Sequence, residues 1–155
     1  GNTLLNGTIK SNLILGNEYA TETDMVNALT AACANFVFNS EKGLDMPCGE
    51  GGNGLSEGQA QRISIARALL RKSPILLVDE ATAALDAATA RAVSFSILNL
   101  VGMTRIVVTH RLEEAILRRY DKILVMKNGT ICEQGKFDTL MQQKGQFYSL
   151  FQIAH

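Results

Sequence analysis

Apolar and polar positions along the chain predict three long helices. A capping pattern at Thr21 starts the first, and the apolar residues that follow recur at helical spacing: Met25, Val26, Leu29, Ala32 and Phe36. The second is predicted from about Ser56 to Leu70, and one of its faces carries Ile63, Ala66, Leu69 and Leu70. The third is predicted from Ala87 to Leu100.

A continuous apolar run, Ile75–Val78, precedes the third helix, and a second buried strand is predicted after it at Thr104–Thr109. Such runs are typical of strands covered on both faces of a mainly parallel sheet. Because strands and helices alternate, the pattern indicates the α/β class. The glycine-rich stretch 43–54 is predicted to be a loop.

The C-terminal part has the pattern of a hairpin followed by two short helices. Strands are predicted at Lys122–Met126 and Thr130–Glu133, joined by Asn128-Gly129, which is typical of a type I′ turn. The two amphipathic helices are predicted at Phe137–Leu140 and Gln146–Ile153.

Composition narrows the class of protein. Of 155 residues 46% are hydrophobic and 19% charged, and 15 Lys and Arg balance 15 Asp and Glu. These values are typical of a soluble globular domain, and zero net charge argues against a nucleic-acid partner. Three scattered cysteines and two histidines favour reduced thiols over disulfides or a zinc site. No apolar run approaches the roughly 20 residues that cross a bilayer.

The stretch Leu55–Gln59 (LSEGQ) is the first candidate for chemistry. Ser56 and Gln59 match a capping box, which by itself predicts only a well-capped helix. The same helix start offers unpaired N–H groups to an anion, and Gly58 lets that anion approach the backbone. A phosphate delivered from outside the segment could therefore bind here.

Polar side chains follow both apolar strands. Asp79 and Glu80 follow the first strand. Asp79 could hold Mg²⁺ through a water, and Glu80 could polarise an attacking water. An acidic pair that is merely solvated at a strand end is a common alternative. His110 follows the second strand and could donate to a phosphate oxygen, although a lone histidine is more often a capping or core residue.

Taken in order, LSEGQ, QRISIARALL, PILLVDEATAALD and IVVTHR resemble the nucleotide-binding domain of ATP-binding-cassette (ABC) proteins. The resemblance implies a P-loop NTPase-like core, the rear of a mainly parallel sheet, over 74–155, and a helical signature subdomain over 1–73. It makes Leu55, Ser56, Glu57, Gly58 and Gln59 the signature that binds nucleotide. It also makes Asp79 the Mg²⁺ residue and Glu80 and His110 catalytic, and it implies that Asp86, in the D-loop, binds nucleotide.

Two further segments resemble exporter-type members: Gly7–Asn12 (GTIKSN) and the loop Gly49–Gly52, which in the family faces the membrane domain. The resemblance implies ATP and Mg²⁺ as cofactors, with two domains enclosing two ATP molecules head to tail. It also implies a transmembrane partner and a location on the cytoplasmic side of the membrane. Glu57 stands where the family usually has glycine, and we expect it to point to solvent; Ala84 replaces a common serine.

The family's Walker A loop, aromatic A-loop and Q-loop glutamine have no counterpart in these residues. We therefore expect the C-terminal part of a longer domain, which by itself binds ATP no better than millimolar and does not hydrolyse it. A strand without its neighbour would favour dimers or swapped oligomers. Two alternatives stay open: a non-catalytic regulatory module, and the C-terminal lobe of a soluble DNA-repair or chromosome-maintenance ATPase.

Overall fold

The computed structural model describes residues 4–154, which form two compact units. The first unit ends at Val108 and the second begins at Thr109. The boundary predicted between residues 73 and 74 falls inside the first unit, so that division of the domain stays a prediction.

The first unit opens with short elements. β1 (Gly7–Thr8) leads into α1 (Ile9–Ile14), α2 spans Glu22–Ala31, and β2 (Pro47–Cys48) pairs antiparallel with β1. Single 3₁₀ turns lie at Asn35–Val37, Gly43–Asp45 and Glu50–Gly52. The glycine-rich stretch predicted as a loop therefore contains a short strand and two helical turns.

The helix α2 ends earlier than its apolar spacing predicts. Cys33 has a φ of 54°, and the N–H groups of Cys33 and Ala34 donate to the carbonyl oxygens of Thr30 and Leu29. These are the two bonds of a Schellman motif, in which a left-handed residue ends the helix. Phe36 consequently lies in a 3₁₀ turn and not in α2.

The remaining elements of the first unit agree closely with the predictions. They are α3 (Glu57–Leu70), β3 (Ile75–Asp79), α4 (Ala87–Asn99) and β4 (Thr104–Val108). β3 and β4 pair in parallel, from Ile75 opposite Thr104 to Asp79 opposite Val108. The class is α/β as predicted, although within residues 4–154 the parallel sheet is this one strand pair.

The expectation that these strands are covered on both faces is wrong for the described residues. Leu76, Val78 and Val107 pack against the core built from α1 to α4. Alternate side chains of a strand point to opposite faces, so the others face away from that core. On that outer face Ile75 is 58% exposed, Leu77 67%, Ile106 51% and Val108 46%.

The second unit consists of a hairpin and three helices. These are α5 (Glu114–Leu117), β5 (Ile123–Lys127), β6 (Thr130–Gly135), α6 (Phe137–Gln143) and α7 (Gln146–Ile153). The type I′ turn is confirmed, because Asn128 and Gly129 both have positive φ, 51° and 76°. Phe137, Phe147 and Phe151 pack ring against ring in its core. Across residues 4–154, no helix is long and apolar enough to cross a bilayer.

Candidate functional site

The start of α3 has the capping box that the sequence predicts. The Gln59 N–H donates to the Ser56 Oγ at 3.2 Å, and the Ser56 N–H donates to the Gln59 Oε1 at 2.9 Å. Ser56 is exposed, so the helix start is open to solvent. Because a hydroxyl that accepts one bond still carries its own proton, Ser56 can also donate to an anion.

Leu55 and Glu57 flank Ser56 with opposite exposure. Leu55 is half-buried and packs against the core, which anchors the segment that leads into α3. Glu57 is exposed in the first turn, as expected, where its carboxylate interacts favourably with the positive end of the helix dipole. It also lines a groove of about 280 Å³ between α3 and β3, which Asp79 lines as well.

Gly58 is required by close packing inside the chain. A Cβ on Gly58 would lie 3.0 Å from the Leu85 Cδ2 and 3.1 Å from the Ala84 carbonyl oxygen. The first turn of α3 therefore presses directly on the segment that precedes α4. This contact gives the glycine a structural reason beside the approach of a ligand.

Arg62 fixes the same turn of α3 from the other side. Its Nε donates to the Gly58 carbonyl oxygen at 3.1 Å, and its Nη1 donates to that of Cys33 at 2.9 Å. Its guanidinium also stacks over the Phe36 ring, 4.9 Å from the centroid. Arg62 thereby joins the start of α3 to the end of α2. The sequence signal that could have revealed it is an arginine directly before Ile63, on a helix that packs against the core.

Asp79 and Glu80 lie exposed at the end of β3. Asp79 is the last strand residue and pairs with Val108. The Glu80 N–H donates to the Val108 carbonyl oxygen at 3.0 Å, but its φ of 46° turns the chain out of the sheet. The backbone therefore changes direction between Asp79 and Glu80.

Gln61 contacts the backbone of Glu80 from α3, which sequence reasoning missed. Its Nε2 lies 3.5 Å from the Glu80 carbonyl oxygen. In this way α3, which carries the signature at its start, reaches the residue that follows β3.

Asp86 acts as the N-cap of α4 in this structure. Its carboxylate accepts the Thr89 N–H at 3.0 Å. Hydrogen bonding to Thr89, above all from its side chain, lowers the pKa of Asp86. A role for Asp86 in binding nucleotide stays a prediction.

His110 is exposed and belongs to the second unit, two residues along the chain from the end of β4. The neighbouring Thr109 Oγ1 accepts the Arg111 N–H at 3.0 Å, which shapes the turn around His110. Its predicted role toward phosphate stays a prediction.

The acidic end of β3 suits one type of metal site. Among residues 4–154, no group of three or more His, Cys, Asp or Glu side chains could hold a metal ion. Mg²⁺ commonly keeps several waters and binds one or two carboxylates together with substrate phosphates. The exposed Asp79 carboxylate fits that mode and does not fit a site made entirely of protein ligands.

The family model described as ABC transporter matches residues 5–83. The chain is 40% identical over 152 residues to the ATP-dependent lipid A-core flippase of Syntrophus aciditrophicus, covering 97% of this chain and 25% of the relative. It is 44% identical over 153 residues to the beta-(1-->2)glucan export ATP-binding/permease protein NdvA of Rhizobium etli, which covers 97% of this chain and 26% of that relative. The chain thus spans about a quarter of the length of these relatives.

A solved structure shows the same fold. A bacterial Atm1-family ABC exporter with ATP bound superimposes with a TM-score of 0.89 at 33% identity, over 97% of this chain and 27% of that one. The fold predicted from the motifs is therefore confirmed.

Proposed function

Because the chain belongs to the ABC transporter family, we propose that it forms the C-terminal part of the ATP-binding domain of an exporter and supplies two half-sites for Mg²⁺-ATP. One observation carries the proposal: Ser56 at the capped start of α3 and the carboxylates of Asp79 and Glu80 at the end of β3 are all exposed, so each half-site is open to a nucleotide. The relatives described above are named as export proteins and a flippase, which favours an exporter over a DNA-repair ATPase.

The first half-site is the start of α3, Leu55–Gln59. The Ser56 hydroxyl and the N–H groups of the first turn donate to the γ-phosphate of an ATP molecule whose other contacts come from a second copy of the domain. Gly58 keeps the backbone close to that phosphate. Asp86, as the cap of the neighbouring helix, completes this surface.

The second half-site is the end of β3, and His110 has a separate proposed role toward phosphate. Asp79 would hold Mg²⁺ through a water, and the bound ion would supply positive charge to the phosphates. Glu80 orients and polarises the attacking water. His110 donates a hydrogen bond to a phosphate oxygen and so stabilises the transition state. Without a phosphate-binding loop, neither half-site retains ATP by itself, so the isolated chain is not an ATPase.

A transmembrane domain is the second proposed partner, and it docks near Gly49–Gly52. The Gly51 N–H donates to the Leu4 carbonyl oxygen at 2.9 Å, which places this loop beside the exposed Leu5. Leu5 and the exposed Leu15 line a groove of about 390 Å³ that Arg67 and Arg71 also line. A groove lined by both leucine and arginine side chains suits a short amphipathic helix. Membership of the ABC transporter family supports the cytoplasmic side of the membrane as the location of the domain.

Substitution of Glu80 in the full-length gene product tests the proposal. Glu80→Gln should leave ATP binding within about twofold but lower hydrolysis by about 10² or more, because it removes a positioned carboxylate from the reacting water. Glu41→Gln, a change of another exposed glutamate, serves as the matched control. Hydrolysis near the wild-type rate in Glu80→Gln would refute the role of Glu80. A wild-type protein without hydrolysis would favour a non-catalytic module.

A further inference from the structure

The backbone of Glu80 adopts a conformation that needs external support. With a φ of 46° it lies in the left-handed region, which a residue other than glycine occupies at a cost. The Val108 carbonyl oxygen accepts its N–H at 3.0 Å, and its own carbonyl oxygen accepts the Ala83 N–H at 3.0 Å. These bonds define a tight turn, and the direction of the carboxylate depends on that turn.

Gln61 supplies a further contact to the same carbonyl oxygen, at 3.5 Å from its Nε2. This distance is at the long limit for a hydrogen bond, and bonds of this kind often tighten only when the catalytic complex assembles. The Gln61 Oε1 is buried and has no hydrogen-bond partner within the described residues. The Oε1 therefore adds no stabilising bond among the described residues, and the contact of the Nε2 with Glu80 is the feature of this amide that needs explanation.

We propose that Gln61 is a positioning residue for Glu80, an inference that rests on the proposed function. Its amide holds the turn at Glu80 and thereby the direction of the carboxylate toward the water. Gln61 lies one helical turn beyond Glu57, on the same face of α3. It therefore joins the helix start that binds one ATP molecule to the glutamate that acts on the other.

Two variants of the full-length gene product separate positioning from packing. Gln61→Glu keeps the length of the side chain but, when ionised, offers no N–H, and Gln61→Met offers no hydrogen bond at all. Both should lower kcat for ATP hydrolysis by about three- to tenfold while the KM for ATP stays within about twofold. Gln61→Met should change the Tm little, because the loss of the long contact with the Glu80 carbonyl oxygen is offset by the removal of a buried unpaired oxygen.

Ser64→Ala is the matched control. Ser64 lines the same groove, but its hydroxyl donates to the Ala60 carbonyl oxygen inside α3. The kcat and the KM of the Ser64→Ala variant should stay at wild-type values. Three results would overturn the inference and leave the proposed function intact. They are a wild-type kcat in both Gln61 variants, an equal loss of kcat in Ser64→Ala, and a loss of kcat that is explained by a lower Tm. A wild-type protein without hydrolysis would refute the proposed function and this inference together.

Discussion

The Lys72 Nζ lies 3.1 Å from the Asp24 Oδ1, so the chain just beyond α3 is bonded to the first turn of α2. Asp24 also accepts the Thr21 hydroxyl at 2.7 Å and the Thr21 N–H at 3.0 Å. These contacts lower the pKa of Asp24 from 3.8 to about 2. The Thr21 hydroxyl has the largest effect, followed by the Thr21 N–H and then by Lys72. The carboxylate therefore supports both the cap of α2 and the packing of two helices.

This shift predicts an acid-dependent contribution to stability. A carboxyl group whose pKa is lowered by folding stabilises the protein above its ordinary pKa, and that contribution fades as pH falls toward the folded value. Asp24→Asn should lower the free energy of unfolding at about pH 6, and the difference from wild type should narrow between about pH 4 and pH 2. Urea unfolding at several pH values measures it. Lys72→Met should cost less than Asp24→Asn, and a difference independent of pH would contradict the assignment.

Glu133 of β6 caps α7, which has no side-chain cap of its own. Its carboxylate accepts the N–H groups of Gln146 and, at 2.9 Å, Phe147. Glu133→Ala should lower the free energy of unfolding by about 1–3 kcal/mol, because it leaves two N–H groups of a helix start without their partner. Gln134→Ala, at the exposed neighbour, is the control and should change little. Unchanged hydrogen exchange at Gln146 and Phe147 in Glu133→Ala would refute the capping role.

The exposed face of the β3–β4 pair predicts self-association of the isolated chain. Leu77 and Ile106 are register partners on that face, and a second copy could bury both. Leu77→Lys should weaken association about tenfold or more, since a buried leucine contributes about 1.5–3 kcal/mol. The Tm should not fall, because Leu77 is already exposed. Sedimentation measures the effect, with Val101→Lys as the exposed control; a wild-type monomer at high concentration would be the contrary result.

ATP should bind the isolated chain only weakly. Micromolar affinity needs about 8 kcal/mol, and the residues present offer a helix start and one carboxylate for a hydrated ion. We expect a dissociation constant of about 1 mM or higher with Mg²⁺, measured by calorimetry. Micromolar binding by this chain would show that these residues form a complete site.

Local signals made much of the fold predictable. The capping boxes at Thr21 and Ser56 and the turn at Asn128-Gly129 depend on neighbours a few residues away, so the sequence contains the whole interaction. The end of α2 was not predictable in this way. Its apolar spacing continues to Phe36, whereas the left-handed Cys33 stops the helix. The exposure of one face of β3 was also not predictable, because burial of that face depends on which other elements pack against it and not on the strand itself.

The candidate site was predictable where a residue lies at the end of an element. Ser56 and Asp79 follow from the start of a helix and the end of a strand. The contact of Gln61 with Glu80 depends on how α3 lies along β3, and no pattern in the sequence specifies that arrangement. The left-handed φ of Glu80 could not be predicted either, because glutamate has no preference for that conformation.

The missing side chain of Gly58 has a mechanical consequence. The opening of α3 lies directly against the Ala84–Leu85 segment, because Gly58 puts no side chain between them. A second copy that displaces one of these surfaces would therefore act on the other through direct contact. An added methyl group on Gly58 would require Leu85 and Ala84 to shift by a few tenths of an ångström, which would change both surfaces at once.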